Sequence, residues 1–173
     1  LTVISIAIGQ GEVTATPLQI ANLAATIANR GWFITPHVVR SVQDEQLDTL
    51  YTKKRRTLVD PHYYDYAVAG MRRAVTNGTC HAANIPGYEV CGKTGTAQNR
   101  GHDHSAFMGF APMNNPRIAV AVYVENGGFG NVYGVPLGAL IMEQYLNGCL
   151  SPESEKKAEA FRLRHIQYPD YAR

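Results

Sequence analysis

The chain has 173 residues, of which 45% are hydrophobic, so it can build the core of one ordinary domain. Its formal net charge is +2 with both signs mixed along the chain, which does not suggest a nucleic-acid partner. The three cysteines, Cys80, Cys91 and Cys149, lack the spacing of zinc ligands or of a redox pair, and no apolar stretch is long enough to span a membrane.

The N-terminal stretch reads like the middle of a larger protein. Residues 1–8 are apolar, have no basic region before them and are too short to cross a membrane, so they indicate neither a signal peptide nor a membrane span. Two glycines within residues 8–12 favour a turn. We therefore interpret the chain as a fragment of a longer protein.

Residues 16–31 carry a full set of helix signals. Thr16 is a good N-cap, Pro17 fits the first helical position, and Gln19 completes a capping box. Apolar residues then recur on one face, and Gly31 is a typical C-terminal signal. Together they predict a helix over 17–30.

The next segment is expected to be mostly extended and polar. Residues 32–42 are β-prone, although Pro36 restricts them to a sheet edge or to the start of a strand. A polar hairpin is predicted to follow, and we interpret the basic run at residues 53–56 as part of its solvated surface.

A second helix is predicted from Asp60 and Pro61 to Asn77, followed by Gly78. Four of its residues recur at helical spacing, which is typical of core packing. They are Tyr64, Val68, Met71 and Val75.

The C-terminal half predicts a small antiparallel sheet. A strand around Lys93 is followed by strands at residues 104–111 and 117–126, and the short turns between them indicate a meander. An apolar helix over 135–146 should pack on this sheet. A short exposed helix is predicted at 153–164 within a charged tail.

The segment Gly92-Lys93-Thr94-Gly95-Thr96 brings a cation, two hydroxyls and two glycines together. Side chains alternate along a strand, so Lys93 and Gly95 share one face while Thr94 and Thr96 share the other. Such a segment can offer positive charge, hydroxyls and backbone N–H groups to an anionic or peptide ligand.

The same letters satisfy a phosphate-loop pattern, G-x-x-x-x-G-K-[ST], from Gly87 to Thr94. That motif needs a buried strand before it and a helix after it, whose N-terminus holds the phosphates. Residues 81–86 do not read as a buried strand, and glycine, asparagine and threonine follow Thr94 instead of helix formers. A nucleotide-binding protein therefore remains only a remote alternative.

Four stretches in this order resemble the C-terminal part of the transpeptidase domain of class B penicillin-binding proteins, of the penicillin-binding protein 2 type. They are residues 8–19, Asn77-Gly78-Thr79, residues 92–98 with Lys-Thr-Gly, and residues 110–128. The resemblance covers residues 1–148 and leaves 149–173 as a charged, partly helical tail. It implies an α+β fold with the three C-terminal strands of a five-stranded antiparallel sheet and helices on both faces.

The resemblance also implies acyl transfer through a serine ester, in which the serine of an S-x-x-K motif attacks D-Ala-D-Ala of a peptidoglycan stem peptide, and which β-lactams intercept. Lys93 would supply positive potential and hydrogen-bond the hydroxyl of an S-x-N motif. Thr94 and Thr96 would bind the substrate carboxylate. Gly95 would let the substrate backbone lie against the strand, and the Thr96 N–H would be one oxyanion donor.

In these enzymes both S-x-x-K and S-x-N precede the Gly-Gln-Gly stretch, so no catalytic residue is assigned to this chain and the isolated chain is predicted to be inactive. Residues 154–157 match S-x-x-K formally, but they lie beyond the Lys-Thr-Gly strand in a charged tail. We interpret them as a solvated helix face. Residues 145–147 imitate a Y-x-N variant, again in the wrong order.

Partners follow from the resemblance: a stem peptide or β-lactam as ligand, and a glycan-polymerising partner in cell elongation, on the outer side of the cytoplasmic membrane. No cofactor or metal is expected. His102, Asp103 and His104 could bind a metal, but we interpret them as a polar loop with two free histidines. The missing strands would leave a sheet edge open, which predicts dimerisation or strand exchange by the isolated chain. A non-catalytic binding or regulatory module with the same fold is the alternative.

Overall fold

The computed structural model describes residues 2–166. They form a three-stranded antiparallel sheet with helices on both faces and a separate two-stranded ribbon, which confirms the predicted α+β class. The helices are α1 (Thr2–Ala7), α2 (Pro17–Ala28), α3 (Thr49–Thr52), α4 (Pro61–Asn77), α5 (Gly134–Asn147) and α6 (Pro152–Arg162), with a short 3-10 helix at His81–Ala83. The strands are β1 (Trp32–Phe33), β2 (Arg55–Arg56), β3 (Cys91–Ala97), β4 (His104–Ala111) and β5 (Ile118–Val124). None of the helices within residues 2–166 has the length and apolar composition that crossing a membrane requires.

The central sheet is the predicted meander, in the order β3-β4-β5. Thr94 pairs with Phe107 and Thr96 with Ser105, while Lys93 pairs with Met108. Directly opposed residues of an antiparallel pair point to the same face. Thr94 and Thr96 therefore share the face of Phe107, and Lys93 lies on the opposite face.

The two faces of the sheet are covered by different helices, as predicted. On one face, Phe107 packs in a core with Val135, Ala139 and Met142 of α5. On the other, Phe110 packs with residues of α2 and α4, namely Ala28, Val68 and Met71. The sheet is thus held between α5 on one side and the α2–α4 pair on the other.

Helix α2 begins as predicted but ends two residues before the predicted end at 30. The capping box is present, since Thr16 Oγ1 accepts the Gln19 N–H at 3.3 Å and Gln19 Oε1 accepts the Thr16 N–H at 2.8 Å. Arg30 and Gly31 take positive φ values of 55° and 98°, which turn the chain out of the helix. Helix α4 agrees with its predicted bounds, and Val68, Met71 and Val75 are buried.

The β-strand prediction for residues 32–42 is wrong beyond Phe33. Only Trp32–Phe33 form a strand, paired with Arg55–Arg56. The ladder ends at Phe33, because β2 offers only Arg55 and Arg56 as partners. The basic run is solvated as predicted, and Lys54 Nζ lies 4.1 Å above the Trp32 ring.

Helix α6 forms near its predicted position, but the interpretation of residues 154–157 as a solvated face is wrong for Ser154, which is 8% exposed. Its Oγ donates to the carboxylate of Glu143 on α5, which also accepts the Ser151 N–H at 2.9 Å. These hydrogen bonds offset the cost of burying the hydroxyl. Lys157 pairs instead with Glu153 at 2.7 Å, so Ser154 and Lys157 have separate partners.

Candidate functional site

The four predicted binding residues lie in the middle of β3, an outer strand of the sheet. Lys93 is exposed, and Thr94, Gly95 and Thr96 are half-buried. Within residues 2–166, no strand pairs with the edge of β3 that faces away from β4. The segment therefore combines a charged side chain, two hydroxyls and an unpaired strand edge.

The ammonium group of Lys93 has capacity to bind a further partner. Its Nζ donates to the carbonyl oxygen of Thr94 at 2.9 Å. In the described part of the chain it forms no ion pair with a carboxylate. An ammonium has three donors, so its charge and remaining N–H groups are available to an anion or a hydroxyl.

The hydroxyl of Thr96 is oriented by the loop that follows β5. The Gly130 N–H donates to Thr96 Oγ1 at 3.4 Å. This close approach needs a glycine, because a Cβ at Gly130 would lie 2.5 Å from the carbonyl oxygen of Gly95. Buried Ser105 holds the loop by donating to the Phe129 carbonyl at 2.9 Å. This bond uses a lone pair of Thr96 Oγ1 and not its proton, so the Thr96 hydroxyl can still donate to a ligand.

The hydroxyl of Thr94 contacts a second threonine. Thr79 Oγ1 lies 2.9 Å from Thr94 Oγ1, and Thr79 belongs to the turn that follows α4. The neighbouring Cys80 is fully buried. Burial raises the pKa of the Cys80 thiol, and this is partly opposed by Thr79, by the Thr94 N–H and by the charge of Lys93. Cys80 is therefore a neutral, packed side chain beneath the site.

The free edge of β3 presents backbone groups as well as side chains. Gln10 Nε2 donates to the Thr96 carbonyl at 3.4 Å, just as Lys93 donates to the Thr94 carbonyl. The N–H and C=O of one residue point to the same side of an antiparallel strand. We infer that the N–H groups of Thr94 and Thr96 also face the free edge.

A cavity of about 540 Å³ lies beside this strand. It is lined by residues 93–97, by parts of the segment 9–20 and by residues 121–123 of β5. This volume is in the range that holds a small-molecule ligand. The cavity thus joins the Gly-Gln-Gly turn and the Lys-Thr-Gly strand, which are 82 positions apart between Gly11 and Lys93.

The geometry does not support the phosphate-loop alternative. Gly92, Lys93 and Thr94 lie inside β3, and a Cβ at Gly92 would lie 2.5 Å from the ring of Phe107. The next element is β4, a strand, so between residues 92 and 111 no helix begins whose N-terminus could hold phosphates.

The loop before β4 is tied to the loop after β5. The Asn126 N–H donates to His104 Nδ1 at 3.0 Å, and the Gly128 N–H donates to the Asp103 carbonyl at 2.8 Å. The expectation of two free histidines is therefore wrong for His104, which begins β4. Over residues 2–166, no group of three or more His, Cys, Asp or Glu residues could hold a metal ion.

Sequence reasoning assigned no individual role to Thr79, Gly130 or Gln10, which contact the predicted residues. All three lie in the quoted stretches or beside them, but no spacing rule connects them to β3. The only available signal was the order of the stretches, since hydroxyl, amide and glycine residues in turns have many other uses.

Comparisons with known proteins identify the family of this chain. The model of the penicillin-binding protein transpeptidase domain family matches residues 2–145. The chain is 35% identical over 177 aligned positions to the peptidoglycan D,D-transpeptidase MrdA of Haemophilus influenzae, covering 88% of this chain and 27% of that protein. The chain thus spans about a quarter of the length of this curated relative.

Solved structures show the same likeness. PBP2 of Pseudomonas aeruginosa, in complex with WCK 5153, superimposes with a TM-score of 0.74 at 36% identity, covering 88% of this chain and 34% of that one. The imipenem acyl-enzyme of penicillin-binding protein A from M. tuberculosis gives a TM-score of 0.70 at 35% identity, covering 82% and 33%. The chain belongs to the penicillin-binding protein transpeptidase domain family, among relatives of the PBP2 (MrdA) type.

Proposed function

We propose that this chain forms one wall of the acyl-transfer site of a peptidoglycan D,D-transpeptidase that cross-links stem peptides through an acyl-serine intermediate. The observation that carries the proposal is that Lys93, Thr94 and Thr96 all line one cavity beside β3, an outer strand of the sheet with a free edge. Membership of the transpeptidase family supports it.

Each matched residue has a role in this proposal. The Thr94 and Thr96 hydroxyls donate to the carboxylate of D-Ala or of a β-lactam. Gly95 leaves room for the ligand backbone to lie along β3 as an added strand. The Thr96 N–H donates to the oxyanion that forms when the serine attacks, and loss of one such donor typically lowers a rate by about 10²–10³.

Lys93 belongs to the wall that this chain forms, and its ammonium interacts with the opposite wall of the site. It hydrogen-bonds the hydroxyl of an S-x-N motif and holds positive potential at the reacting centre. We place that motif, the nucleophilic serine and the S-x-x-K lysine in sequence that precedes this chain in the longer protein. The formal S-x-x-K at residues 154–157 does not replace them, because Ser154 is bonded to Glu143 and Lys157 to Glu153.

We expect a fluorescent penicillin to label the full-length protein and to leave this chain unlabelled, because acylation needs the serine. Gel fluorescence after incubation checks this, with an excess of unlabelled penicillin as the competition control. Covalent labelling of this chain, above all at Ser154, would contradict the proposal. A full-length protein that carries both upstream motifs and still fails to label would favour the non-catalytic binding or regulatory module.

The longer protein is proposed to work on the outer side of the cytoplasmic membrane together with a glycan-polymerising partner. Within the chain, residues 1–148 are proposed as the transpeptidase portion and 149–173 as an appended tail. The family match, which ends at residue 145, supports this division. Helix α6 rests on α5 through the bonds from Ser151 and Ser154 to Glu143.

We also propose that the isolated chain dimerises through a sheet edge. Both outer strands, β3 and β5, lack a second neighbour among the described residues, and unpaired strand edges invite pairing with another chain. Light scattering coupled to size exclusion is expected to give about twice the 19.0 kDa chain mass. A monodisperse monomer with ordinary thermal stability would contradict this.

A further inference from the structure

We propose that Thr79 is a positioning residue for recognition of the ligand carboxylate. Its hydroxyl donates to Thr94 Oγ1 and thereby directs the hydroxyl proton of Thr94 toward the ligand. This inference rests on the proposed function, in which Thr94 receives the carboxylate.

The first support is the contact itself. The two Oγ1 atoms lie 2.9 Å apart, within hydrogen-bond distance, and either atom can be the donor. A hydroxyl has one proton to donate and two lone pairs that accept. Each threonine can therefore donate in only one direction at a time.

A bound carboxylate removes the ambiguity. An ionised carboxylate accepts hydrogen bonds and donates none, so Thr94 must donate its single proton to it. The bond between the threonines must then run from Thr79 to Thr94. A hydrogen bond to an ionised acceptor is stronger than a neutral one, and the donor from Thr79 polarises Thr94 in the same sense.

The turn that carries Thr79 is well fixed. The Cys80 N–H donates to the Ala74 carbonyl at 2.9 Å, and Cys80 is fully buried. A Cβ at Gly78 would lie 2.9 Å from Ala74 Cα, so the turn is pressed against the end of α4. A hydroxyl that must orient another one needs such a fixed base, while Thr79 itself is exposed on the side of the site.

The second hydroxyl of the site has an equivalent arrangement. Thr96 Oγ1 accepts a backbone N–H from Gly130, which leaves its proton for a ligand. Thr94 receives the corresponding donor from a side chain, Thr79. Both hydroxyls are thus prepared to donate, and only the donor to Thr94 can be removed by a side-chain substitution.

The test uses the full-length protein and its acylation by a penicillin and by the methyl ester of that penicillin, which lacks the negative charge. Thr79→Val removes the hydroxyl at similar volume, Thr79→Ser keeps it, and Thr76→Val is the matched control near the C-terminal end of α4, the helix that precedes Thr79. Thr76 bonds only its own helix in the described chain, at the Arg73 carbonyl. The second-order rate of acylation and its separation into binding and acylation steps are measured.

We expect Thr79→Val to lower acylation by the free acid by about 3- to 10-fold, the size of one hydrogen bond, and to change acylation by the ester by less than about 2-fold. Thr79→Ser should stay within about 2-fold of the unsubstituted protein, as should Thr76→Val. Equal losses with acid and ester would show a merely structural role, and no loss with either would also overturn the inference.

A Thr94→Val variant separates the inference from the proposed function beneath it. If Thr94→Val leaves the preference for the acid intact, the carboxylate does not bind at Thr94 and the proposed function is wrong at this point. If Thr94→Val abolishes the preference and Thr79→Val does not, only the inference fails. If both the proposed function and the inference are correct, Thr79→Val should cause no further loss of acylation rate in the Thr94→Val background, because the two hydroxyls act as one unit.

Discussion

Replacing Phe107 by alanine is expected to lower the free energy of unfolding of the chain by about 3–5 kcal/mol, the usual cost of removing a buried aromatic ring. Phe107 is 2% exposed and lies in the core between the sheet and α5. A large part of that cost depends on how far the neighbours can close around the cavity.

The surroundings of Phe107 make closure difficult. A Cβ added at Gly92, Gly109 or Gly138 would lie 2.5–2.6 Å from an atom of the ring, so the ring is packed against bare backbone on several sides. Backbone held in a strand or helix cannot swing into a cavity as a side chain can. Because Phe107 also pairs with Thr94 across β3 and β4, loosening it should disturb the candidate site.

Urea unfolding followed by far-ultraviolet circular dichroism measures this effect. Phe129→Ala is the matched control, since Phe129 is 66% exposed and should change the free energy of unfolding by no more than about 0.5 kcal/mol. A loss below about 1.5 kcal/mol for Phe107→Ala would contradict this expectation, because it would mean that the core relaxes around the cavity.

Replacing Lys93 by alanine in the full-length protein is expected to lower the second-order rate of acylation by penicillin by about 10- to 100-fold. In the proposed function, the unsubstituted Lys93 hydrogen-bonds a hydroxyl of the reacting centre and supplies positive charge beside the bound carboxylate. The expected decrease in rate assumes that the Lys93 ammonium is free to bind these partners. The structure supports this, because within residues 2–166 the ammonium makes one hydrogen bond to a neighbouring carbonyl and no ion pair.

Two further variants test whether the effect depends on the position and on the shape of the charged group. Lys53→Ala removes the same charge from an exposed position outside the site and should leave the rate within about 2-fold. Lys93→Arg keeps the charge but replaces a compact ammonium by a planar fork, so partial activity is expected. A Lys93→Ala variant with the unsubstituted rate would remove Lys93 from the proposed machinery.

Local signals determined most elements of this fold. The capping box of Thr16 and Gln19, the helix start at Asp60 and Pro61, and the strand-forming runs of β4 and β5 with a short turn between them each depend on residues close together in the chain, and the structure agrees with them. A strand prediction fails where the segment lacks a pairing partner. Residues 32–42 are β-prone, but β2 offers only two residues for them to pair with, so the predicted strand ends at Phe33.

The candidate site also has features that local sequence predicted and features that depend on distant contacts. The sequence by itself determined that Lys93, Thr94, Gly95 and Thr96 stand on one strand with alternating faces, because the period of a strand is a local property. Only the tertiary structure brought Thr79 to Thr94, Gly130 to Thr96 and Gln10 to the edge of β3, over separations of 15, 34 and 86 residues. It likewise buried Ser154 against Glu143, where the sequence indicated a solvated helix. Such contacts depend on how helices and loops pack against the sheet, and a hydroxyl or a glycine in a turn carries no periodic signal that predicts its partner.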